Sequence, residues 1–204
     1  MKRVAVLVSG GGTNLQALID AEAAGKLPSA KLVLVLASNP DAYALTRAGK
    51  AGIPTQVVAR KAHASAEAFD EALLAALQKH QAEVVVLAGF LSILGPRVLG
   101  AYKGSIINVH PSLIPSFCGE GCYGLAVHRQ ALARGVKVTG ATVHYVNEVV
   151  DGGEILLQKA VDVQHGDTPE SLQRRVMETA EWEILPKALE MVCAQKLAQE
   201  GAGP

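Results

Sequence analysis

The sequence predicts an α/β fold whose sheet is mostly parallel and twisted, flanked by helices, with an antiparallel C-terminal portion. Short, continuously apolar runs alternate with amphipathic runs at helical spacing, which is typical of strands joined by right-handed crossovers. A glycine-rich segment follows the first apolar run at once, where such sheets carry a ligand loop. Near the C-terminus, a further strand-like run follows a tight turn and indicates an antiparallel pair.

The elements follow in order. Strands are predicted at 4–8, 31–37, 56–59, 83–87, 105–109, 138–146 and 155–163. The first helix is expected to be capped by Thr13 or Asn14, and the second to open at 39–41. A third amphipathic helix covers 65–80.

The last helix is predicted to begin at Pro169, capped by Asp167 or Thr168, and to be kinked or restarted by Pro186. The acidic residues along it, among them Glu181, are expected to be solvated helix positions. The final residues, 199–204, are expected to form a frayed tail.

Composition limits the class of protein. The 204 residues are half hydrophobic and fit a single domain, 1–204, yet no apolar run is long enough to cross a bilayer. Nineteen basic residues balance nineteen acidic ones, so no global field favours nucleic acid or a membrane surface. Three cysteines and no apolar leader are typical of a soluble, cytoplasmic protein.

The segment 9–16, SGGGTNLQ, predicts an anion site. Glycines allow a tight turn and close backbone approach, and unpaired amides at the start of the following helix point at a ligand, most plausibly a phosphate. No Gly-Lys-Ser/Thr follows, and Leu15 occupies the last glycine position of a dinucleotide fingerprint. The alternative is a turn that only joins strand to helix.

Asn108 and His110 form the second candidate site. Residues two apart in a strand point to one face, about 6–7 Å apart, so a hydrogen-bond donor would lie beside a titratable base. Pro111 biases His110 away from helix and holds it at a strand end. The alternative is a turn cap and a structural histidine. Asp151 precedes two glycines; it either forms a turn or returns a carboxylate to His110.

Other polar residues allow weaker hypotheses. His144 would point toward a site or a polar partner, and His128 is expected to be a surface or satisfied histidine. Both histidines could join Cys118 and Cys122 in a metal site, but His128 lies in a helix-like stretch beside Arg129, which favours a structural histidine over a metal ligand.

Taken in order, five blocks resemble the glycinamide ribonucleotide formyltransferase family: SGGGTNLQ, AGFLSIL, INVHPSLIPSF, GATVHYV and DGGEILLQ. The resemblance spans nearly the whole chain. It implies a Rossmann-like formyltransferase fold, with a phosphate and substrate loop in the N-terminal half and the folate site and catalytic residues in the C-terminal half. It also implies formyl transfer from 10-formyltetrahydrofolate to the amine of glycinamide ribonucleotide, without a metal or nucleic acid, by a monomer or homodimer.

The resemblance assigns roles to individual residues. Asn108, His110 and Asp151 match the catalytic residues of the family. The substrate-binding residues are matched by Gly12, Thr13, Asn14 and Glu181, and the folate-binding residues by Leu91, Ser92, Ile93, Leu94 and Asn108.

Two departures leave details open. Some members carry arginines where this chain has Ala66 and Ser92, so the folate contacts are expected to differ. The segment 118–123 is longer than in some members, which leaves the loop beside the substrate undefined.

Four other functions compete with this one. A formyltetrahydrofolate deformylase would carry an added N-terminal regulatory domain, and a methionyl-tRNA formyltransferase would carry a C-terminal RNA-binding domain and a basic surface; neither is expected here. A non-catalytic folate- or nucleotide-binding module would use only the glycine loop and its crevice. A metal-dependent hydrolase would use His110, His128 and His144 and is the remotest of the four.

Overall fold

The computed structural model describes residues 1–201, and its strands form one sheet in the order β3-β2-β1-β4-β5-β6-β7. The strands are β1 (Lys2–Val8), β2 (Ala30–Ala37), β3 (Thr55–Val57), β4 (Val84–Leu87), β5 (Ile106–His110), β6 (Val138–Tyr145) and β7 (Ile155–Asp162). Neighbours among β1 to β5 pair parallel, whereas β6 is antiparallel to both β5 and β7. The predicted mostly parallel sheet with an antiparallel C-terminal end is confirmed.

Helices connect most of the strands. They are α1 (Thr13–Ala23), α2 (Tyr43–Lys50), α3 (Ala66–Lys79), α4 (Pro96–Ala101), α5 (Leu125–Arg134), α6 (Pro169–Val176) and α7 (Trp182–Gly201), with a 3₁₀ turn at Arg60–Ala62. The second helix begins at Tyr43, later than the predicted 39–41. None of these helices, within residues 1–201, combines the length and apolar character needed to cross a membrane.

The central strands β1, β2, β4 and β5 are buried on both faces, which explains why they read as continuous apolar runs. Along β1, Val4 and Val6 pack into one core layer, and Ala5 and Leu7 into the other. Helices α1, α2, α6 and α7 cover the first layer, and α3 and α4 cover the second. This alternation fixes which face each residue of β5 presents.

Helix α4 is an element that the sequence analysis missed, because its cap comes from a different helix. The Asp70 carboxylate on α3 accepts hydrogen bonds from the amides of Gly95, Arg97 and Val98, at 3.0, 2.8 and 3.4 Å. Asp70 is fully buried, and a side chain at Gly95 would overlap it. A carboxylate at a helix N-terminus satisfies amides that have no partner within the helix.

The C-terminal helix departs from the prediction at a different residue. Thr168 caps α6 through a reciprocal pair of hydrogen bonds with Ser171, as one of the two predicted caps. The change in helix geometry lies at a π-helical segment, Met177–Glu181, and Pro186 lies inside α7 without ending it. Pro186 follows the first turn, where it removes a single hydrogen bond. The predicted frayed tail is wrong for 199–201, which belong to α7; residues 202–204 lie outside the described residues.

Candidate active site

Loops that follow neighbouring parallel strands meet at one edge of the sheet. Strands β1, β4 and β5 are adjacent and parallel, so their carboxyl ends share an edge. The amide of Ser9, after β1, donates to the Gly89 carbonyl after β4 at 3.1 Å, and the Leu91 amide donates to Ser9 Oγ at 2.9 Å. His110 is the last residue of β5, so it lies at the same edge.

Asn108 and His110 project from the same face of β5. Ile106, two residues before Asn108, packs into the core layer under α3 and α4, so these side chains lie on that face. His144 of β6 lies opposite Asn108 in the antiparallel pair and therefore points the same way. The face thus presents an amide and two imidazoles in a row.

Asp151 reaches this face from the opposite end of the sheet. Because β6 is antiparallel to β5, Tyr145 lies opposite Ile107, and the connection to β7 leaves near the start of β5. The connection then folds back along the face to His110. Asp151 has φ of 54°, a left-handed conformation that Asp tolerates, and Gly153 lies too close to the Tyr145 carbonyl for any side chain. The predicted turn therefore forms and also brings the carboxylate back.

His110 lies between two acceptors. Its Nε2 is 2.9 Å from the Phe117 carbonyl oxygen, and its Nδ1 is 3.5 Å from Asp151 Oδ2. Each ring nitrogen thus has an acceptor nearby, and the two contacts together fix the orientation of the ring at the end of β5.

Asp151 is ionised in this site. Burial would raise its pKa, but the hydrogen bond from the Gly119 amide and the nearby charge of His110 hold the pKa below its usual value. The Gly119 amide donates to Oδ2 at 2.9 Å. A buried, charged carboxylate therefore lies 3.5 Å from His110 Nδ1.

His144 orients the Asn108 amide. Its Nδ1 donates to the Tyr145 carbonyl at 2.7 Å, so in the neutral ring Nε2 is an acceptor. Asn108 Nδ2 lies 3.2 Å from that nitrogen, closer than Asp151 Oδ1 at 3.6 Å. One N–H of Asn108 is thereby engaged, and the second is left to donate to a ligand. The sequence pattern predicted that His144 faces a site or a polar partner but did not include it among the site residues.

Replacing His144 by phenylalanine tests this orienting contact. The ring volume stays while the acceptor is lost, so kcat for the formyl transfer that the sequence resemblance implies should fall roughly ten- to hundredfold, the cost of a misplaced catalytic group. Steady-state kinetics on folded protein, checked by thermal melting, measure the effect. The exposed His165→Phe serves as control. An unchanged kcat in the folded His144→Phe variant would contradict the orienting role.

The glycine loop ends at Gly12, which is the N-cap of α1 in the left-handed conformation, with φ of 72°. The predicted cap by Thr13 or Asn14 is wrong, because both are already the first helical residues and no side chain caps α1. A Cβ at Gly12 would lie 2.6 Å from Ala44 Cβ, so only glycine fits. Thr13 Oγ1 lies 3.7 Å from Met177 Sδ.

Glu181 is buried, contrary to its predicted solvation. It is 5% exposed at the end of the π-helical segment, and its Oε2 accepts from Asn14 Nδ2 at 2.5 Å. Burial raises its pKa to about 7, although the hydrogen bond from Asn14 acts in the opposite direction. The structure therefore joins two of the predicted substrate-binding residues, 167 positions apart in sequence, directly to each other.

Glu181→Gln should change how stability depends on pH. The folded protein binds a proton at Glu181 more tightly than the unfolded chain does, so its stability falls as pH rises from 4.5 to about 7. The variant, which cannot titrate there, should gain on the order of 3 kcal/mol relative to the wild type over this range. Urea unfolding at several pH values measures the difference, with the exposed Glu178→Gln as control. Parallel stability curves would refute the raised pKa.

The residues 91–94, which the resemblance matches to folate-binding residues, differ in their exposure. Leu91 and Ile93 are 65% and 79% exposed, so an apolar ligand could cover them. Leu94 is buried in the core layer under α3, and Ser92 is partly exposed between these neighbours. The exposed pair is available to a ligand, whereas the Leu94 side chain already packs within the protein.

His128 differs from its prediction as a surface or satisfied histidine. It is fully buried on α5, and neither ring nitrogen has a hydrogen-bond partner within residues 1–201. Burial, together with the nearby charge of His110, lowers its pKa to about 4. Within the same residues, no group of three or more His, Cys, Asp or Glu side chains is arranged to hold a metal ion.

The family model described as formyl transferase matches residues 2–189, and the chain belongs to that family. Within it, the chain belongs to the phosphoribosylglycinamide formyltransferases. It is 41% identical over 186 residues to the enzyme of that name from Haemophilus influenzae, a match that covers 91% of this chain and 84% of the relative.

A solved structure and a longer relative agree with this assignment. The crystal structure of glycinamide ribonucleotide transformylase 1 from Symbiobacterium toebii has a TM-score of 0.90 and 42% identity, and the match covers 96% of this chain and 89% of that one. The predicted Rossmann-like formyltransferase fold is thereby confirmed. The trifunctional purine biosynthetic protein adenosine-3 of Bos taurus is 45% identical over 203 residues, 98% of this chain, which spans only 19% of that protein.

Proposed function

We propose that this chain transfers the formyl group of 10-formyltetrahydrofolate to the amine of glycinamide ribonucleotide, a step of purine biosynthesis. One observation carries the proposal: Asn108, His110 and Asp151 converge within contact distance, through His144, in a chain that aligns along most of its length with phosphoribosylglycinamide formyltransferases. The names of those relatives supply the acceptor, and the folate donor follows from the family resemblance.

The reaction begins when the substrate amine attacks the formyl carbon. A C–N bond forms, the carbonyl oxygen becomes negative and the attacking nitrogen becomes positive. The free N–H of Asn108 donates to the oxyanion, a contribution of about 3 kcal/mol. The amine is itself the nucleophile, so the step needs neither a covalent enzyme intermediate nor a metal.

His110 completes the transfer as a cation. Its Nε2–H donates to the Phe117 carbonyl in this structure. In the reaction, a substrate oxyanion or the departing folate nitrogen would replace that carbonyl and take the proton. The bond between the formyl carbon and the folate nitrogen then breaks as that nitrogen is protonated, and the oxyanion re-forms the C=O bond. The attacking nitrogen loses its extra proton, which restores the imidazolium. Asp151 stays ionised throughout and stabilises the imidazolium.

The remaining predicted residues are proposed to bind the two substrates. The amides of Gly12, Thr13 and Asn14 begin α1 and would hold the substrate phosphate. Glu181 would accept from a ribose hydroxyl. Leu91, Ser92, Ile93 and Leu94, with Asn108, would contact the folate. The cytoplasmic location, the monomer or homodimer, and the absence of nucleic-acid partners stay predictions.

The test is an assay of donor consumption. Purified protein is incubated with 10-formyltetrahydrofolate, with and without glycinamide ribonucleotide, and the deformylated folate is followed by absorbance. The proposal expects consumption that requires the ribonucleotide. Consumption without it would indicate a deformylase, and no consumption under either condition would indicate a binding module; both results overturn the proposal.

A further inference from the structure

Helix α2 lies directly against the outside of the glycine loop. The Ala44 amide, in its first turn, donates to the Gly10 carbonyl at 3.1 Å. One turn later, Arg47 Nε donates to the Gly11 carbonyl at 2.8 Å. The Cα of Gly12 is also packed so closely on Ala44 that no side chain fits between them. Two successive loop carbonyls therefore point toward α2.

These hydrogen bonds fix where the loop amides point. In a planar trans peptide, the carbonyl of one residue and the N–H of the next point in opposite directions. When α2 holds the carbonyls of Gly10 and Gly11, it therefore turns the amides of Gly11 and Gly12 away from itself. Neither amide meets an acceptor within residues 1–201. Hydrogen bonds to the carbonyls of these peptides therefore set the direction of the N–H groups that would donate to an anion.

Arg47 is itself held in place. Its Nη1 donates to Gln16 Oε1 on α1 at 3.1 Å, and its guanidinium carbon lies 5.1 Å from the centre of the Tyr43 ring. Gln16 in turn donates to Asp20 at 2.9 Å. A guanidinium fixed on several sides keeps one orientation, and its charge then lies beside the loop at little entropic cost.

We propose that Arg47 is a positioning residue of the phosphate subsite: it holds the Gly11 peptide so that the Gly12 amide faces the substrate phosphate, and it adds positive charge beside that amide. The inference rests on the proposed function, because it assumes that the substrate carries a phosphate. It assigns to α2 a part in substrate binding that the glycine loop alone does not explain.

The experiment compares two acceptors in the same protein preparation. Wild type and Arg47→Met are assayed with glycinamide ribonucleotide and with glycinamide riboside, which lacks the phosphate. Arg47→Met should lower kcat/KM for the ribonucleotide roughly ten- to hundredfold, mainly through KM, and leave kcat/KM for the riboside nearly unchanged. Lys50→Met, on the same helix and exposed, removes a charge without touching the loop and should change neither value.

The ratio of kcat/KM for the ribonucleotide to kcat/KM for the riboside does not depend on the fraction of folded protein, so a partly unfolded variant still gives an answer. An equal loss for both acceptors, or no loss for either, overturns the role of Arg47 while the transferase itself stands. A comparable ribonucleotide loss in Lys50→Met would show general electrostatics instead of positioning and would also overturn it. Failure of the proposed function looks different, because the wild type would then transfer no formyl group to the ribonucleotide.

Discussion

His110→Ala is expected to lower kcat for formyl transfer by roughly 10²–10⁴-fold, with the KM of both substrates little changed. The alanine has no proton to give to the oxyanion or the leaving nitrogen, whereas the glycine loop that binds the acceptor is untouched. Single-turnover kinetics with saturating substrates measure the chemical step directly. The exposed His165→Ala should keep wild-type activity.

Two further readouts separate catalysis from folding in this variant. Because His110 is buried and contacts Phe117 and Asp151, thermal melting should be measured alongside the kinetics. Binding of glycinamide ribonucleotide should persist, since its proposed subsites lie elsewhere. A folded His110→Ala that retains near-wild-type kcat would exclude His110 as the proton donor.

Asn108→Ala has the second largest expected effect, a loss of about 10²–10³-fold in kcat. The variant removes the N–H that would donate to the oxyanion and leaves His144 without the contact at 3.2 Å. The ground-state carbonyl gains less from this donor than the oxyanion does, so KM should change much less than kcat. Asn39→Ala, an exposed asparagine that follows β2, is the matched control.

A pattern in which Asn108→Ala raises KM for the folate tenfold and leaves kcat intact would contradict oxyanion stabilisation. It would leave Asn108 as a folate-binding residue alone. Combining Asn108→Ala with His144→Phe adds a second check, because two residues that act through one contact should give losses that do not add.

Residues whose signal is local could be predicted well. The run 4–8 is apolar on both faces of a covered strand, and the alternation of such runs with helices gives the parallel order. The glycine loop lies where a strand meets a helix, and Asn108 and His110 share a face because strands have a period of two. These conclusions need only neighbouring residues.

The predictions that failed at Asp70, Glu181 and His128 depend on contacts between distant segments, whereas the cap of α1 and the start of α2 are errors in local boundaries. Asp70 caps α4 from another helix, 25 or more positions away, so no motif around Pro96 indicates that α4 begins there. In the sequence, Glu181 looks like any acidic residue on a helix, and only the structure shows that it is buried against Asn14. His128 likewise looks like a surface histidine, although it is fully buried on α5. Burial of a single polar side chain is decided by the partner element, which the local pattern does not contain.

The antiparallel β6 has a consequence for how activity is acquired as the chain folds. His110 belongs to the parallel half of the sheet, but Asp151 reaches it only through the β6–β7 connection from the sheet's other end. A chain in which only β1 to β5 have assembled would hold His110 in place but would lack the carboxylate beside it. The proposed chemistry therefore requires the β6–β7 hairpin as well as the parallel part of the sheet.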